Sequence, residues 1–542
     1  MKVKDAIGAI LKAEGVAIVT GFPFNQAFDG AAAAGIRTII ARTERVAANI
    51  ADGMARTTGG RSIGVCLVQY GPGAENVFGA VAQAWCDSSP LLVITGGYDT
   101  KDHGMVPNFS ALPAYSSITK WTGYVNMPER LAEMLGQAFV HLRTGKPGPV
   151  VLEVPNDLMN AEIPGKFSYA PIRVARTASD PNLVADVVAR LMKAKSPVIV
   201  AGQGVLYADA CASLRRFAEL TGTPVMTTLA GKSAFPEDHA LALGTSGLSR
   251  PTLVDGAFKR ADFVLGIGTS FTRTSYTQNP PPGKVVTQVT NEPADLRKGY
   301  PTAIGILGDA GVVLDQMIKA ARAKGAKGQR ARTTARSLAK ERAAYMKLWA
   351  KRLASDAEPI SPYRVIAELM RAVDRRKTVV THDSGNPRDQ TVPFYETLVP
   401  HGYIGWGKST QLGTGLGFAM GAKLARPDWL AVNIMGDAAF GMVGMDVETA
   451  VRERIPIMTV IFRNGVMGGY TGHHPVATKA YGIHIQSGHY ANVAKALGAH
   501  GERVERVADL AGAFKRAIKA TKAGTPALVE VITREEPVFP IG

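Results

Sequence analysis

The feature that most restricts the fold is a regular alternation of strand-like apolar runs with helix-like patterns, in three blocks. In the first block, roughly 1–165, apolar runs fall at 16–20, 38–41, 62–69, 91–95 and 150–154, with helical patterns such as 44–56 between them. Strands separated by helices are joined by crossovers, so they pair in parallel and bury both faces. The second block, 185–320, opens on Ser196-Pro-Val-Ile-Val-Ala-Gly202 and continues through Phe263-Val-Leu-Gly-Ile-Gly268 and Val285-Val-Thr-Gln-Val289. The third, 355–542, predicts strands at 377–381, 430–434, 457–462 and 527–532, with helices at 415–425 and 445–453 between them. The first and third blocks have similar length and grammar, and no short period repeats, so a solenoid is excluded. The expected fold class is α/β, with three domains that are each a mainly parallel sheet flanked by helices. A length of 542 residues agrees with that count at about 150 residues per domain.

Composition narrows the setting. The cysteines, Cys66, Cys86 and Cys211, fit no zinc or CxxC spacing, and their sparseness points to a reducing compartment. No apolar run approaches the ~20 residues of a membrane span. Met1-Lys2-Val3-Lys4-Asp5 leads into an amphipathic pattern rather than a secretory h-region. A cytoplasmic location without membrane attachment is therefore expected. The net charge is +17, and residues 319–352 hold twelve Lys/Arg against one acid, Glu341. Overlapping that run, 321–354 reads as a basic linker continuing into a helix. Its charge is either a solvated face or an attraction for phosphorylated or nucleotide-bearing ligands. No recognition motif accompanies it, so no nucleic-acid partner is expected.

The chemistry begins at Ile434-Met-Gly-Asp-Ala-Ala-Phe-Gly441, where an apolar strand runs into Gly436-Asp437 and a helix follows. A small-residue turn at a helix N-terminus exposes backbone N–H groups to a diphosphate. The acid offers a hard oxygen to a Mg²⁺ that the diphosphate also binds. The next strand ends in Asn464-Gly-Val-Met-Gly-Gly469, which is 27 positions after Asp437. That interval holds one helix and one strand, so both side chains emerge at one sheet edge.

This pair resembles the diphosphate signature of thiamine-diphosphate (ThDP) enzymes, most closely the branch of acetolactate synthase, oxalyl-CoA decarboxylase and 2-hydroxyacyl-CoA lyase. One residue departs from it: Ala438 stands where glycine is usual. Further segments resemble the family in its own order: residues 42–56 with Glu44, Gln69-Tyr-Gly-Pro-Gly-Ala-Glu-Asn76, and the stretches 86–96, 145–155 and 231–239. The resemblance covers nearly the whole chain.

It implies thiamine diphosphate and Mg²⁺ as cofactors. It implies Glu44 as the carboxylate that holds the aminopyrimidine ring and promotes loss of the thiazolium C2 proton. It places Leu412 beneath the two rings as the bulky residue that bends the cofactor, and Asn386 near the diphosphate. Asp437, Asn464 and the carbonyl of Val466 are implied as the Mg²⁺ ligands. Pro23, Gly73, Asn76, Gly436, Ala438, Ala439, Met467 and Gly468 are the other implied cofactor contacts. In the family the glutamate and the diphosphate site come from different subunits, which implies a homodimer or homotetramer with the active site at the interface. Relatives hold FAD or ADP in the middle domain. Gly202-Gln-Gly204 and Gly266-Ile-Gly-Thr-Ser270 are glycine-bearing strand ends there, without a complete dinucleotide fingerprint.

The resemblance implies a ThDP- and Mg²⁺-dependent decarboxylase or carboligase acting on a 2-oxo acid, similar to acetolactate synthase. An acyl-CoA lyase or decarboxylase is the alternative. Acetolactate synthases carry Phe-Gln-Glu ahead of Ile-Thr-Lys, whereas here Ile118-Thr-Lys120 follows Asp102-His-Gly-Met-Val-Pro-Asn-Phe109. The family's tryptophan after the Mg²⁺ loop is replaced by Gly469-Tyr-Thr-Gly-His-His-Pro-Val476. His103, His473 and His474 are the candidate proton carriers, and Tyr70 is a further donor. A non-catalytic binding protein is the remaining class, and the joint presence of Glu44, Asp437 and Asn464 argues against it.

Overall fold

The computed structural model describes residues 1–540 other than 275 and 279, and the backbone alone of Thr471. Its core is three six-stranded sheets. The first holds β1 (Ile18–Phe22), β2 (Arg37–Ile40), β3 (Gly64–Val68), β4 (Leu91–Gly97), β5 (Trp121–Tyr124) and β6 (Val150–Pro155). The second holds β7 (Pro197–Ala201), β8 (Val225–Thr228), β9 (Ala242–Ser246), β10 (Phe263–Ile267), β11 (Val285–Thr290) and β12 (Thr302–Leu307). The third holds β13 (Thr378–His382), β14 (Tyr403–Ile404), β15 (Leu430–Gly436), β16 (Met458–Arg463), β17 (His500–Val504) and β18 (Ala527–Ile532). Every pairing among these strands is parallel.

The outer sheets share one order, β2-β1-β3-β4-β6-β5 and β14-β13-β15-β16-β18-β17. The middle sheet runs β12-β11-β10-β7-β8-β9, the doubly wound order of dinucleotide-binding folds. Each sheet therefore has one point where the winding reverses: between β1 and β3, between β7 and β10, and between β13 and β15. A crevice opens there at the strands' carboxyl ends.

Central strands are buried on both faces, as in β3 and β7. The edges β5, β14 and β17 were not foreseen, for a physical reason. Edge strands keep polar or half-exposed residues, and His500-Gly-Glu-Arg-Val504 gives no apolar run. The basic stretch is mostly helix: Ala310–Ala323 and Gln329–Leu353 are separated only by residues 324–328. The second of these buries Leu338 against the middle domain and Tyr345 and Trp349 against the third.

The outer domains meet where the Glu44–Thr57 helix crosses the Thr414–Ala425 helix. Glycines set the distance. A Cβ on Gly421 would lie 2.2 Å from the Ile50 carbonyl oxygen, and one on Gly53 2.6 Å from that of Phe418. Around the crossing, Arg42 pairs with Glu448 at 2.7 Å and the Arg56 guanidinium lies 4.5 Å over the Phe418 ring. No helix among the described residues is long and apolar enough to cross a membrane.

Candidate active site

The third domain supplies a polar crevice at its reversal point. Asp437 follows β15 and is 4 % exposed. Its carboxylate accepts the N–H of Gly465 at 2.9 Å and of Ala438 at 3.2 Å, and burial raises its pKa against those donors. Asn464 follows β16, and its Oδ1 accepts the Val466 N–H at 3.1 Å. Both side chains thus converge on the 464–466 turn. Val466 forms an antiparallel bridge with Ile485, through Met467 N–H to the His484 carbonyl and Gln486 N–H to the Gly465 carbonyl. In such a non-hydrogen-bonded pair the residue's own N–H and C=O point away from the partner strand. The Val466 carbonyl therefore faces the same side as its N–H, toward Asn464.

Asn386 closes the crevice: a Cβ on Gly468 would lie 2.9 Å from its Nδ2. Gly436 has only Pro387, at 3.8 Å from the equivalent point, so its backbone stays approachable. Ala438 and Met467 are partly exposed, Gly468 is exposed and Ala439 is buried. Among the described residues there is no group of three or more His, Cys, Asp or Glu that would hold a metal unaided. One carboxylate, one amide and one carbonyl suit a hard, water-keeping ion that takes its other ligands from a diphosphate, as Mg²⁺ does. The residues present fit that metal and that group.

Leu412 is half-buried and packs against the cluster containing Ile39, Val46 and Val443. Its position is fixed by a residue whose role the sequence did not disclose. Asp383, fully buried after β13, accepts the N–H groups of Gly413 at 2.9 Å, Gly415 at 3.0 Å and Ser384 at 2.8 Å. Burial pushes its carboxyl up to about 6, and those N–H groups and the nearby Arg45 oppose the rise. Arg45 was also missed. Its Nε and Nη2 are buried without hydrogen-bond partners, beside Gly413. The available signal for Asp383 was positional: an acid directly after a buried strand, one strand over from Asp437.

The first domain supplies the other half. Glu44 opens its helix behind the Thr43 cap, whose hydroxyl accepts the Val46 N–H at 3.3 Å. Glu44 is 5 % exposed as a residue, and among the described residues its carboxylate has neither a hydrogen-bond nor an ion-pair partner. A nearly buried carboxylate left unpaired is costly unless a ligand meets it, and a ring N–H of the cofactor fits that need. Pro23 follows β1, and Gly73 is buried against the Gln69 side chain. Asn76 is exposed, just past the first turn of the Pro72–Asp87 helix. Tyr70 packs edge-to-face on Tyr98, with ring centroids 4.9 Å apart. His103 is exposed and lies on Tyr124 at the end of β5, with centroids 4.2 Å apart. His473 and His474 are exposed beyond the 464–469 turn. No contact within the chain brings His103 to these two among the described residues.

A third feature is a cavity of about 620 Å³ at the middle sheet's reversal point. It is lined by 202–204 after β7, 268–270 after β10, and Lys146 and Lys408 from the flanking domains. A Cβ on Gly202 would lie 2.2 Å from the Gly268 carbonyl oxygen, so glycine is required for the two turns to meet.

This architecture, with an acid-bearing domain and a diphosphate-type crevice flanking a nucleotide-fold middle, matches known sequences along the same lines. Residues 1–121 match the thiamine pyrophosphate enzyme N-terminal TPP binding domain, 184–317 the central domain, and 383–531 the C-terminal TPP binding domain. The chain belongs to the thiamine pyrophosphate enzyme family. It is 32 % identical to a probable acetolactate synthase large subunit of Methanocaldococcus jannaschii, over 86 % of this chain and 81 % of that one. It is 30 % identical to the sulfoacetaldehyde acetyltransferase of Alcaligenes xylosoxydans xylosoxydans, over 96 % and 90 %. It is 29 % identical to the glyoxylate carboligase of Escherichia coli O157:H7, over 98 % and 93 %. Within the family it is a ThDP-dependent enzyme of the acetolactate synthase branch.

Proposed function

We propose that the protein is a ThDP- and Mg²⁺-dependent decarboxylase and carboligase acting on a small 2-oxo acid. The observation that carries this reading is the unpaired, nearly buried Glu44 carboxylate in a domain whose twin presents Asp437 and Asn464. When bound, thiamine diphosphate supplies the electron sink for the electron pair left by the departing carboxyl group. Glu44 takes a hydrogen bond from the aminopyrimidine. Asp437, Asn464 and the Val466 carbonyl hold the metal and through it the diphosphate. Leu412 would support the cofactor from the 407–412 segment, and Asp383 fixes the turn that follows it. Tyr70, His103, His473 and His474 remain candidates for moving protons at the substrate end.

Assembly as at least a homodimer is part of the proposal. Exposed apolar side chains flank both half-sites: Phe24 is 52 % exposed beside Pro23, and Met442 and Met445 are 58 % and 57 % exposed at the end of the Asp437 helix. Such surface favours burial by a second copy. The middle cavity suits a nucleotide such as FAD or ADP, given its place at the winding reversal, its glycine turns and its lysines. The three unbridged cysteines accord with a cytoplasmic setting.

The test is consumption of pyruvate, and separately of glyoxylate, with Mg²⁺ and with or without ThDP, scoring the carboligation product, the free aldehyde and CO₂. ThDP-dependent carboligation is the expected result. Bound ThDP with no turnover of either acid would sink the 2-oxo-acid reading and favour acyl-CoA substrates.

A further inference from the structure

Segment 407–412 links the middle cavity to the cofactor half-site. Its two ends are pinned. On one side the Trp406 indole N–H donates to the His382 carbonyl at 2.9 Å, with the rings stacked at 5.1 Å. On the other, Gly413 is held by Asp383. Between the pins, Leu412 lies at the cofactor end and Lys408 enters the cavity.

Lys408 has no counter-ion of its own. Its ammonium meets only the Ser270 hydroxyl, at 3.4 Å, and among the described residues no carboxylate lies within ion-pair distance. The charged groups around it are Asp87, Lys146, Asp295 and Lys298. Their acids are already engaged: Asp295 with Lys146 at 2.8 Å and Lys298 at 3.2 Å, and Asp87 with Arg56 at 3.3 Å. Asp87 also accepts the Lys408 backbone N–H at 3.3 Å, which ties the segment to the end of the Pro72–Asp87 helix and, through the Asp87–Arg56 pair, to the helix that begins at Glu44. Burial lowers the lysine's pKa, as expected for a cation without a partner.

Resting on the nucleotide reading of the cavity, we infer that Lys408 is the residue that pairs with a phosphate of that nucleotide and couples its occupancy to the ThDP site through segment 407–412. Ammonium and phosphate form a charge-assisted pair, which no carboxylate among the described residues offers Lys408. A ligand that draws Lys408 toward it biases the placement of Leu412, four residues on. Such coupling is reciprocal: the factor by which nucleotide changes ThDP affinity equals the factor by which ThDP changes nucleotide affinity.

Titration calorimetry on the full-length protein with Mg²⁺ tests this, using ADP, FAD, adenosine and ThDP as probes. For the wild type, ADP or FAD is expected to bind, and each is expected to change the ThDP Kd by about 5-fold or more, with the same factor in reverse. Lys408→Met is expected to weaken ADP by about 10-fold or more, to leave adenosine unaffected and to bring the coupling factor near one. Lys408→Arg, which keeps the charge, is expected to retain most of both effects. If ADP binds wild type and Lys408→Met equally, the inference is overturned while the nucleotide reading stands. If neither ADP nor FAD binds the wild type, the nucleotide reading falls, and the inference with it. A wild-type coupling factor of one, which needs no variant to measure, overturns the link to the ThDP site.

Discussion

Replacing Gly421 with alanine should separate the two outer domains by a calculable amount. A Cβ there would lie 2.2 Å from the Ile50 carbonyl oxygen, 2.7 Å from the Met54 nitrogen and 2.9 Å from the Gly53 carbonyl carbon. All three are backbone atoms of the facing helix, so no side chain can rotate away. Restoring ordinary contact requires the helices to part by about 1 Å, and a packed interior resists such shifts. Overpacking costs about 1–3 kcal/mol, and a backbone-on-backbone clash belongs at the upper end. Alanine recovers about 1 kcal/mol of helix propensity, so a net loss of about 2 kcal/mol is expected. The internal reference is Gly441, on the exposed side of the Asp437–Val443 helix, where a Cβ meets nothing within 4 Å. Gly441→Ala should be neutral or slightly stabilising. Thermal unfolding of the two variants beside the wild type is the assay. Gly421→Ala should lower the midpoint by a few degrees and reduce turnover, because Glu44 rides on the displaced helix. Equal midpoints for the two alanine variants would refute the crossing as described.

Three further outcomes follow from the site. Glu44→Gln should leave ThDP binding within a few-fold while turnover drops by more than about 100-fold, in line with loss of an acid–base group; calorimetry and rate assays separate the two, and equal losses in both would reassign Glu44 to binding. Asp383, pushed up to about 6 against ~3.9 in an unfolded chain, binds its proton more readily in the native state. The stability it contributes is therefore full below about pH 4 and declines as pH rises toward 6, so Asp383→Asn should flatten that part of the midpoint-versus-pH curve, and an unchanged curve would show that Asp383 does not titrate there. Met442→Glu with Met445→Glu should dissociate the oligomer in sedimentation velocity and abolish turnover; an assembly unaffected by both charges would move the interface elsewhere.

The sequence carried the site's diphosphate half more fully than its neighbours. Asp437 and Asn464 were legible because each directly follows one of two neighbouring strands, with only helix between those strands, and that spacing is local information. The buried strands were legible for a similar reason, since a parallel strand covered on both faces is apolar throughout. Asp383 was not, because its meaning lies in two N–H groups about thirty residues away that only the fold brings to it. The histidines show a limit of another kind. A titratable ring identifies a chemistry but not a place, and His103 follows a short turn and lies tilted against Tyr124 at an edge strand's tip. Edge strands escaped for want of apolar residues, and β14 is only two residues long.

The Gln329–Leu353 helix has a mechanical meaning. At 1.5 Å per residue its 25 residues make a rod of roughly 37 Å. One part is rooted in the middle domain's core by Leu338 and the other in the third's by Tyr345 and Trp349. A rod clamped at both ends transmits torque, whereas a flexible tether would dissipate it. A tilt of the middle domain would thereby be conveyed to the sheet that carries Asp437, so the cavity and the Asp437 crevice share one frame.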